Sequence, residues 1–193
     1  MTLPRPVKAV VFDMDGLLVD TETVVYAAMQ RAAVEIGGAM PLATFQRMVG
    51  LTHADSDLIL VEHFGAAFDL EAWSATVSAH FHEEAAAGIA LKAGVVEILD
   101  ALDAAGLPRA IATSSSLAAV RQSLGPHGLV DRFGALITRD VQTLGKPHPE
   151  PFLKAAAALG VDPAHCLALE DSHNGVRAAS AAGMMTVMVP DML

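Results

Sequence analysis

One cysteine, Cys166, occurs in 193 residues, so no disulfide can form within the chain. A reducing compartment suits such a chain, and the cytoplasm is its expected location. No apolar run reaches the roughly 18 residues that a membrane span needs. The N-terminal MTLPRPVK runs straight into the first predicted strand, so no signal peptide is expected. Basic residues are scarce, with 12 Lys and Arg against 22 Asp and Glu for a formal charge of −10. Nucleic acid and anionic membrane are poor partners for that surface. A phosphorylated ligand is repelled at long range, so a phosphate site needs local positive charge, and each lysine near a motif carries weight. There is no internal repeat and no low-complexity tract; the alanines of Ala155–Ala158 fall inside a predicted helix. What is plentiful is apolar: 53% of residues, with a mean hydropathy of +0.44. That supports one domain, or one domain with a modest insertion.

Residues 8–22, KAVVFDMDGLLVDTE, organise the rest. Lys8 to Phe12 has the length and Val content of a strand buried on both faces. Asp13 and Asp15 follow, with Gly16 next. Carboxylates at the end of a buried strand repel each other and lose hydration, so they require a cation or a proton nearby. In an extended segment residues two apart point the same way, so one hard cation could lie beside both, and Mg²⁺ suits an all-oxygen site. Gly16 lets the chain turn and a substrate approach the backbone. A solvated Asp-x-Asp-Gly turn would read the same way in isolation.

After this strand the pattern becomes helical. Residues 21–36 carry apolar groups at Val24, Val25, Ala28, Met29, Ala32 and Ile36, and Gly37-Gly38 ends the run. Further helices are predicted over 41–49, 55–64 and 70–87, with a turn at Gly50-Leu51-Thr52. Four helices without a strand read as a bundle inserted over 21–88, with 1–20 and 89–193 forming an α/β core. From Gly94 strands and helices alternate: helix 94–105, strand 109–113, helix 116–124, strand 135–138, helix 149–159, strand 166–169, helix 174–182, strand 184–189. Such alternation implies a mainly parallel, Rossmann-like sheet with helices on both faces.

Three further motifs each follow a predicted strand. In ATSSS, residues 112–116, Thr113 or Ser114 can offer a hydroxyl and backbone N–H groups to a phosphate oxygen; a plain Ser-rich helix cap is the alternative. In GKPHPEP, residues 145–151, Lys146 is held in a stiff loop where it can neutralise carboxylates and a phosphate. It is no nucleotide P-loop, since no glycine precedes Gly145 by five and Pro147 replaces Ser or Thr. In LALEDSHNG, residues 167–175, Glu170 and Asp171 again place two acids at a strand end. Two such strand ends side by side would form a cation site at the carboxyl edge of the sheet, where ligands bind open α/β folds.

DMDGLLVDTE, with the three later motifs in order, resembles the haloacid dehalogenase (HAD) superfamily, in the phosphatase and β-phosphoglucomutase branch with a helical cap. The resemblance spans about residues 8–190. It implies Asp13 as nucleophile and Asp15 as the acid, then base, that serves the leaving oxygen and the water. It implies Mg²⁺ on the Asp13 carboxylate, the Asp15 backbone carbonyl and Asp171, with Glu170 a ligand or the partner of one. Thr113, Ser114 and Lys146 would hold the phosphoryl group. Asp15 argues against the dehalogenase branch. The expected partner is a small phosphorylated metabolite, and the expected state a monomer.

Segment 21–88 resembles the family's cap, hinged near Asp20-Thr21 and Gly88–Gly94. The branch's mutases carry a Lys and an Arg around the cap's glycine turn, where this chain has Val49 and His53. They also carry a histidine where this chain has Val24-Val25. These departures favour a phosphatase over a mutase; His53 could still contact substrate. A receiver-type signalling domain is disfavoured by the D-x-D-G pair, the insertion and the length, and an idle binding protein by the intact acid set. His80 and His82, two apart on a helix, diverge. Cys166 and Trp73 read as packing. Relatives continue past Asp191-Met192-Leu193, so exposed apolar surface is expected there.

Overall fold

A computed structural model of the chain describes residues 3–49, 51 and 53–191. Gly50 and Thr52 of the turn read from the sequence lie outside the described residues, as do Met192 and Leu193. The chain divides into two compact units, one of Met1–Val19 with Ala90–Asp191 and one of Asp20–Ile89.

The first unit is built on a strand, β1 (Ala9–Phe12), whose four residues are all buried. Helix α5 (Val95–Ala104) leads to β2 (Arg109–Ala112), α6 (Leu117–Leu124) to β3 (Ala135–Ile137), α7 (Glu150–Leu159) to β4 (Cys166–Glu170), and α8 (His173–Ala181) to β5 (Met185–Met188). The strands form one five-stranded sheet in the order β3-β2-β1-β4-β5, with every pairing parallel. The chain winds outward from β1 through β2 to β3, then returns to the other side of β1 for β4. The two directions part at β1, the place where ligands bind beyond the carboxyl ends of open α/β sheets.

Alternation decides what covers the sheet. Ala9, Val11, Ala110, Ala112, Cys166 and Ala168 share one core cluster with Phe152, Ala155 and Ala156 of α7 and Ala178 and Ala179 of α8. Small side chains on both layers let these helices lie close on the strands, which accounts for the alanine content. On the intervening positions, Phe12 meets Phe133 edge to face at 5.9 Å between ring centres. Val19 pairs antiparallel with Leu91, and the Lys92 N–H donates to the Leu18 carbonyl at 3.0 Å, so the segments leaving and re-entering this unit lie side by side.

The second unit holds α1 (Thr21–Glu35), α2 (Leu42–Gln46), α3 (His53–Phe64) and α4 (Leu70–Ala86). α1 packs on α4. Their core gathers Ala32, Ala33, Met40, Phe45, Met48, Ile59, Leu60 and Trp73. Phe64 stacks on Phe68 at 4.5 Å, and both rings meet Trp73. Asp69 caps α4 by accepting the Ala72 N–H at 3.0 Å. The sequence places α2 over 41–49, whereas the helix covers Leu42–Gln46 only, because Met48 and Val49 fall in a turn. At the other end of the chain Val189 is 42% exposed.

Among the described residues no helix is long and apolar enough to cross a membrane.

Candidate active site

Parallel pairing aligns the carboxyl ends of the central strands. Phe12 is opposite both Ile111 and Leu169, so the chain leaves β1, β2 and β4 at one level. Asp13 follows β1, Thr113 follows β2, and Glu170 ends β4 with Asp171 after it. The Asp13 N–H donates to the Leu169 carbonyl and the Thr113 N–H to the Ile137 carbonyl, each at 3.0 Å, so both positions are held by backbone.

Lys146 joins the strand ends. Its Nζ donates to Asp13 Oδ1 and to Glu170 Oε1, each at 2.5 Å, with all three side chains at most 9% exposed. Phe152 lies beneath it, with the ring centre 5.3 Å from Nζ. Burial pulls the Lys146 pKa down, but Asp13 and Glu170 more than reverse this and the net shift is upward. The loop that carries Lys146 is tied to α7. Glu150 accepts the N–H groups of Thr143 at 2.7 Å and Leu144 at 3.0 Å, and pairs with Lys154 at 2.6 Å. Those bonds hold its carboxyl far down, at a pKa of about 2.

Glu170 is fully buried. Its Oε2 accepts the Ser172 hydroxyl at 3.0 Å and the Ser172 N–H at 3.2 Å. A Cβ on Gly175 would come within 1.8 Å of the Glu170 carboxyl, so the start of α8 must be glycine for Glu170 to fit. Asp171 lies against Gly16 in the same way. Gly16 has φ +77°, and a Cβ there would lie 2.2 Å from Asp171 Oδ2.

Asp13, Glu170 and Asp171 each offer a carboxylate oxygen, and these oxygens all lie within 4.8 Å of one another. Three acids face one lysine, an imbalance that calls for protons or a cation. Burial, then Asp13 and Glu170, push the Asp171 pKa up to about 8. Burial and Asp13 also raise that of Glu170, against the pull of Lys146. An all-oxygen acidic set of this kind fits a hard divalent ion.

The expectation that the side chains of Asp13 and Asp15 flank one cation needs correction. After β1, Asp15 bridges to Val19 across the turn at 16–18. Asp15 turns instead to the β2 loop, where its Oδ2 accepts the Ser115 hydroxyl at 2.7 Å and the Thr113 hydroxyl at 3.3 Å. Burial, then Asp13, raise its pKa.

The other expected residues fall as follows. Ser114 is exposed in the loop after β2. Thr113 is buried and its hydroxyl accepts the Ser115 N–H at 3.0 Å. The Gly16 N–H donates to the Val19 carbonyl at 2.9 Å, so what Gly16 provides is room for Asp171. His53 opens α3 in the helical unit. His80 and His82 part, to Glu35 at 2.7 Å and to the Ser78 carbonyl at 2.6 Å. Sequence reasoning missed two residues. Ser115 is one of three consecutive serines, which nothing in the sequence ranks. Gln142 donates to the carbonyls of Thr113 at 2.8 Å and Ile137 at 3.1 Å, bracing β2 against β3.

A family profile for haloacid dehalogenase-like hydrolases matches residues 7–183, spanning all four strand-end motifs. The chain belongs to that family. This HAD-like hydrolase is 37% identical over 186 residues to YhcW of Bacillus subtilis, covering 96% of this chain and 84% of the relative. It is 31% identical over 206 residues to hexitol phosphatase B of Escherichia coli K12, covering 98% and 86%. A HAD family hydrolase from Deinococcus radiodurans, solved with bound phosphate and sodium, superposes with a TM-score of 0.79 at 28% identity, covering 94% of this chain and 80% of that one. The parallel sheet and helices of this chain are the HAD fold.

Proposed function

We propose that this HAD-like hydrolase is a phosphatase that hydrolyses a small phosphomonoester, of the sugar-phosphate class, through an aspartyl-phosphate on Asp13. The observation that carries the reading is that the two acids after β1 face different partners. Asp13 is held against Lys146. Asp15 faces two hydroxyls with its pKa raised. In this reading Asp13 is the carboxylate that attacks, and Asp15, raised by burial and by Asp13 against the pull of its two hydroxyls, is the acid.

In the first half-reaction an Asp13 carboxylate oxygen attacks phosphorus and the bond to the leaving oxygen breaks. Asp15 gives its proton to that oxygen, so a neutral alcohol departs. In the second half, water attacks phosphorus, Asp15 takes its proton, and the bond to Asp13 breaks to release phosphate. Lys146 and the groups after β2, Thr113 and Ser114, balance and orient the phosphoryl oxygens. Mg²⁺ would be held by Asp13, Asp171 and the Asp15 carbonyl, and when bound it supplies charge neutralisation of the phosphoryl group. Glu170, with both oxygens already bonded, serves to fix Lys146 and the start of α8. The helical unit Asp20–Ile89 would be the cap that selects the leaving group, with Val49 and His53 where the branch's mutases carry a Lys and an Arg.

The test is phosphate release from a panel of phosphomonoesters by wild type and Asp13→Asn, with Mg²⁺ and with EDTA. Turnover that needs both metal and Asp13 is the expected result. Turnover that persists in EDTA or in Asp13→Asn would overturn the reading.

A further inference from the structure

One acid at the carboxyl edge of the sheet has no part in the mechanism above. β5 runs beside β4 with Met188 opposite Glu170, and the Val189 N–H donates to the Glu170 carbonyl at 2.7 Å. Pro190 and Asp191 therefore leave β5 beside Asp171, all within the α/β unit. The Asp191 side chain is 3% exposed. Its Oδ1 accepts from Lys92 Nζ, while its Oδ2 is buried and has no hydrogen-bond partner among the described residues. That oxygen faces Gly16. A Cβ on Gly16 would lie 3.1 Å from Asp191 Oδ2 and 2.2 Å from Asp171 Oδ2, so the two carboxylates flank one point.

A buried carboxylate oxygen without a donor is costly, so it marks a place where a donor arrives. Asp171 beside it is another acceptor, and a phosphoryl dianion brings acceptors only. A water can donate to both carboxylates. Asp191 lies outside the set of Asp13, Glu170 and Asp171, whose oxygens all lie within 4.8 Å of one another, so it does not join them around one ion. Mg²⁺ held by few carboxylates keeps several waters, and a hydrogen bond from such a water to a carboxylate is charge-assisted. We infer that Asp191 is a positioning residue for the metal: its Oδ2 accepts a hydrogen bond from a water on the Mg²⁺, and Lys92 holds the carboxylate in place for it. This role rests on Asp13 and Asp171 being the Mg²⁺ ligands proposed above.

The readout is Mg²⁺ affinity, measured by calorimetry on the metal-stripped full chain. In Asp191→Asn, Lys92 keeps the amide oxygen and turns the NH₂ group, a donor, toward the water. The dissociation constant should rise by about ten- to hundredfold, the usual loss when the partner behind a metal ligand is removed. Loss of a negative charge would also weaken binding, and Lys92→Met separates the two causes. Removing that cation tightens Mg²⁺ binding if charge alone matters. With Asp191 released from its anchor, binding should instead weaken by about tenfold. Thermal unfolding in EDTA checks that each variant is folded; should Asp191→Asn not be, Lys92→Met decides. An affinity unchanged or tighter in either folded variant would overturn the inference and leave the phosphatase reading standing. If the wild type bound no Mg²⁺, or Asp171→Asn bound it equally well, the metal reading itself would fall and the role of Asp191 with it.

Discussion

Both carboxylate oxygens of Glu170 are bonded, and one of the bonds is to the lysine that also holds Asp13. A buried acid so placed is a fixed element of the site, whereas Asp15, held by two hydroxyls, is in the proposed mechanism the group that protonates the leaving oxygen. This distinction gives a prediction at the residue scale. Asp15→Asn should lower kcat by about two to four orders of magnitude on an alkyl phosphate, whose leaving oxygen needs the proton. On p-nitrophenyl phosphate, whose leaving group departs unprotonated, the first half-reaction should be nearly normal and a burst of p-nitrophenol should precede slow turnover. Stopped-flow absorbance checks both. The four acids and Lys146 are legible in the sequence because charged groups at the ends of apolar strands are conspicuous. Ser115 is not, because which of three serines faces Asp15 depends on how the loop leaves β2. The side-chain direction of Asp15 is equally hidden, since it depends on the turn that follows Asp13.

At the scale of the elements, the two glycines that flank the acids are as demanding as the acids. The first turn of α8 lies against Glu170, and only the missing Cβ of Gly175 allows it. Gly175→Ala should therefore destabilise the fold by about 1–3 kcal/mol, as an overpacked buried contact does. The sequence reads Asn174-Gly175 only as the opening of a helix; the cause of the glycine is a side chain five residues earlier, folded back. Thermal unfolding of Gly175→Ala beside the exposed control Ser180→Ala checks the size. The strands and long helices are legible because their apolar periodicity is strong. The short 3₁₀ turns, Gly125–His127, Val130–Arg132, Arg139–Val141 and Pro163–His165, carry no periodic pattern and are set by tertiary packing. Gln142, which braces β2 against β3, comes from the loop just after one of them.

For the molecule as a whole, the acid excess couples metal, pH and stability. Asp171 has its pKa raised to about 8 from an ordinary 3.8. A raised carboxyl pKa means that ionising it in the fold costs free energy, a cost absent at low pH that grows from about pH 4 until the group titrates near 8. Metal-free protein should therefore lose thermal stability over that range, and saturating Mg²⁺ should restore it. Binding to the ionised form displaces a proton below pH 8, so the Mg²⁺ affinity should rise from pH 6 to pH 8. Calorimetry in buffers of different ionisation enthalpy counts that proton. An affinity independent of pH would place the metal away from Asp171. The parallel sheet was legible at this scale from strand–helix alternation, and the acid excess of the whole chain from its composition.

The covalent step is the centre of the account, and one measurement reaches it. Enzyme is mixed with ³²P-labelled substrate and Mg²⁺, quenched in acid within milliseconds, and the chain is counted for label. The expected result is label on the chain in the wild type, released by hydroxylamine as an acyl phosphate requires, and none in Asp13→Asn. Steady turnover with no label on the chain at any quench time, or equal label in Asp13→Asn, would contradict it.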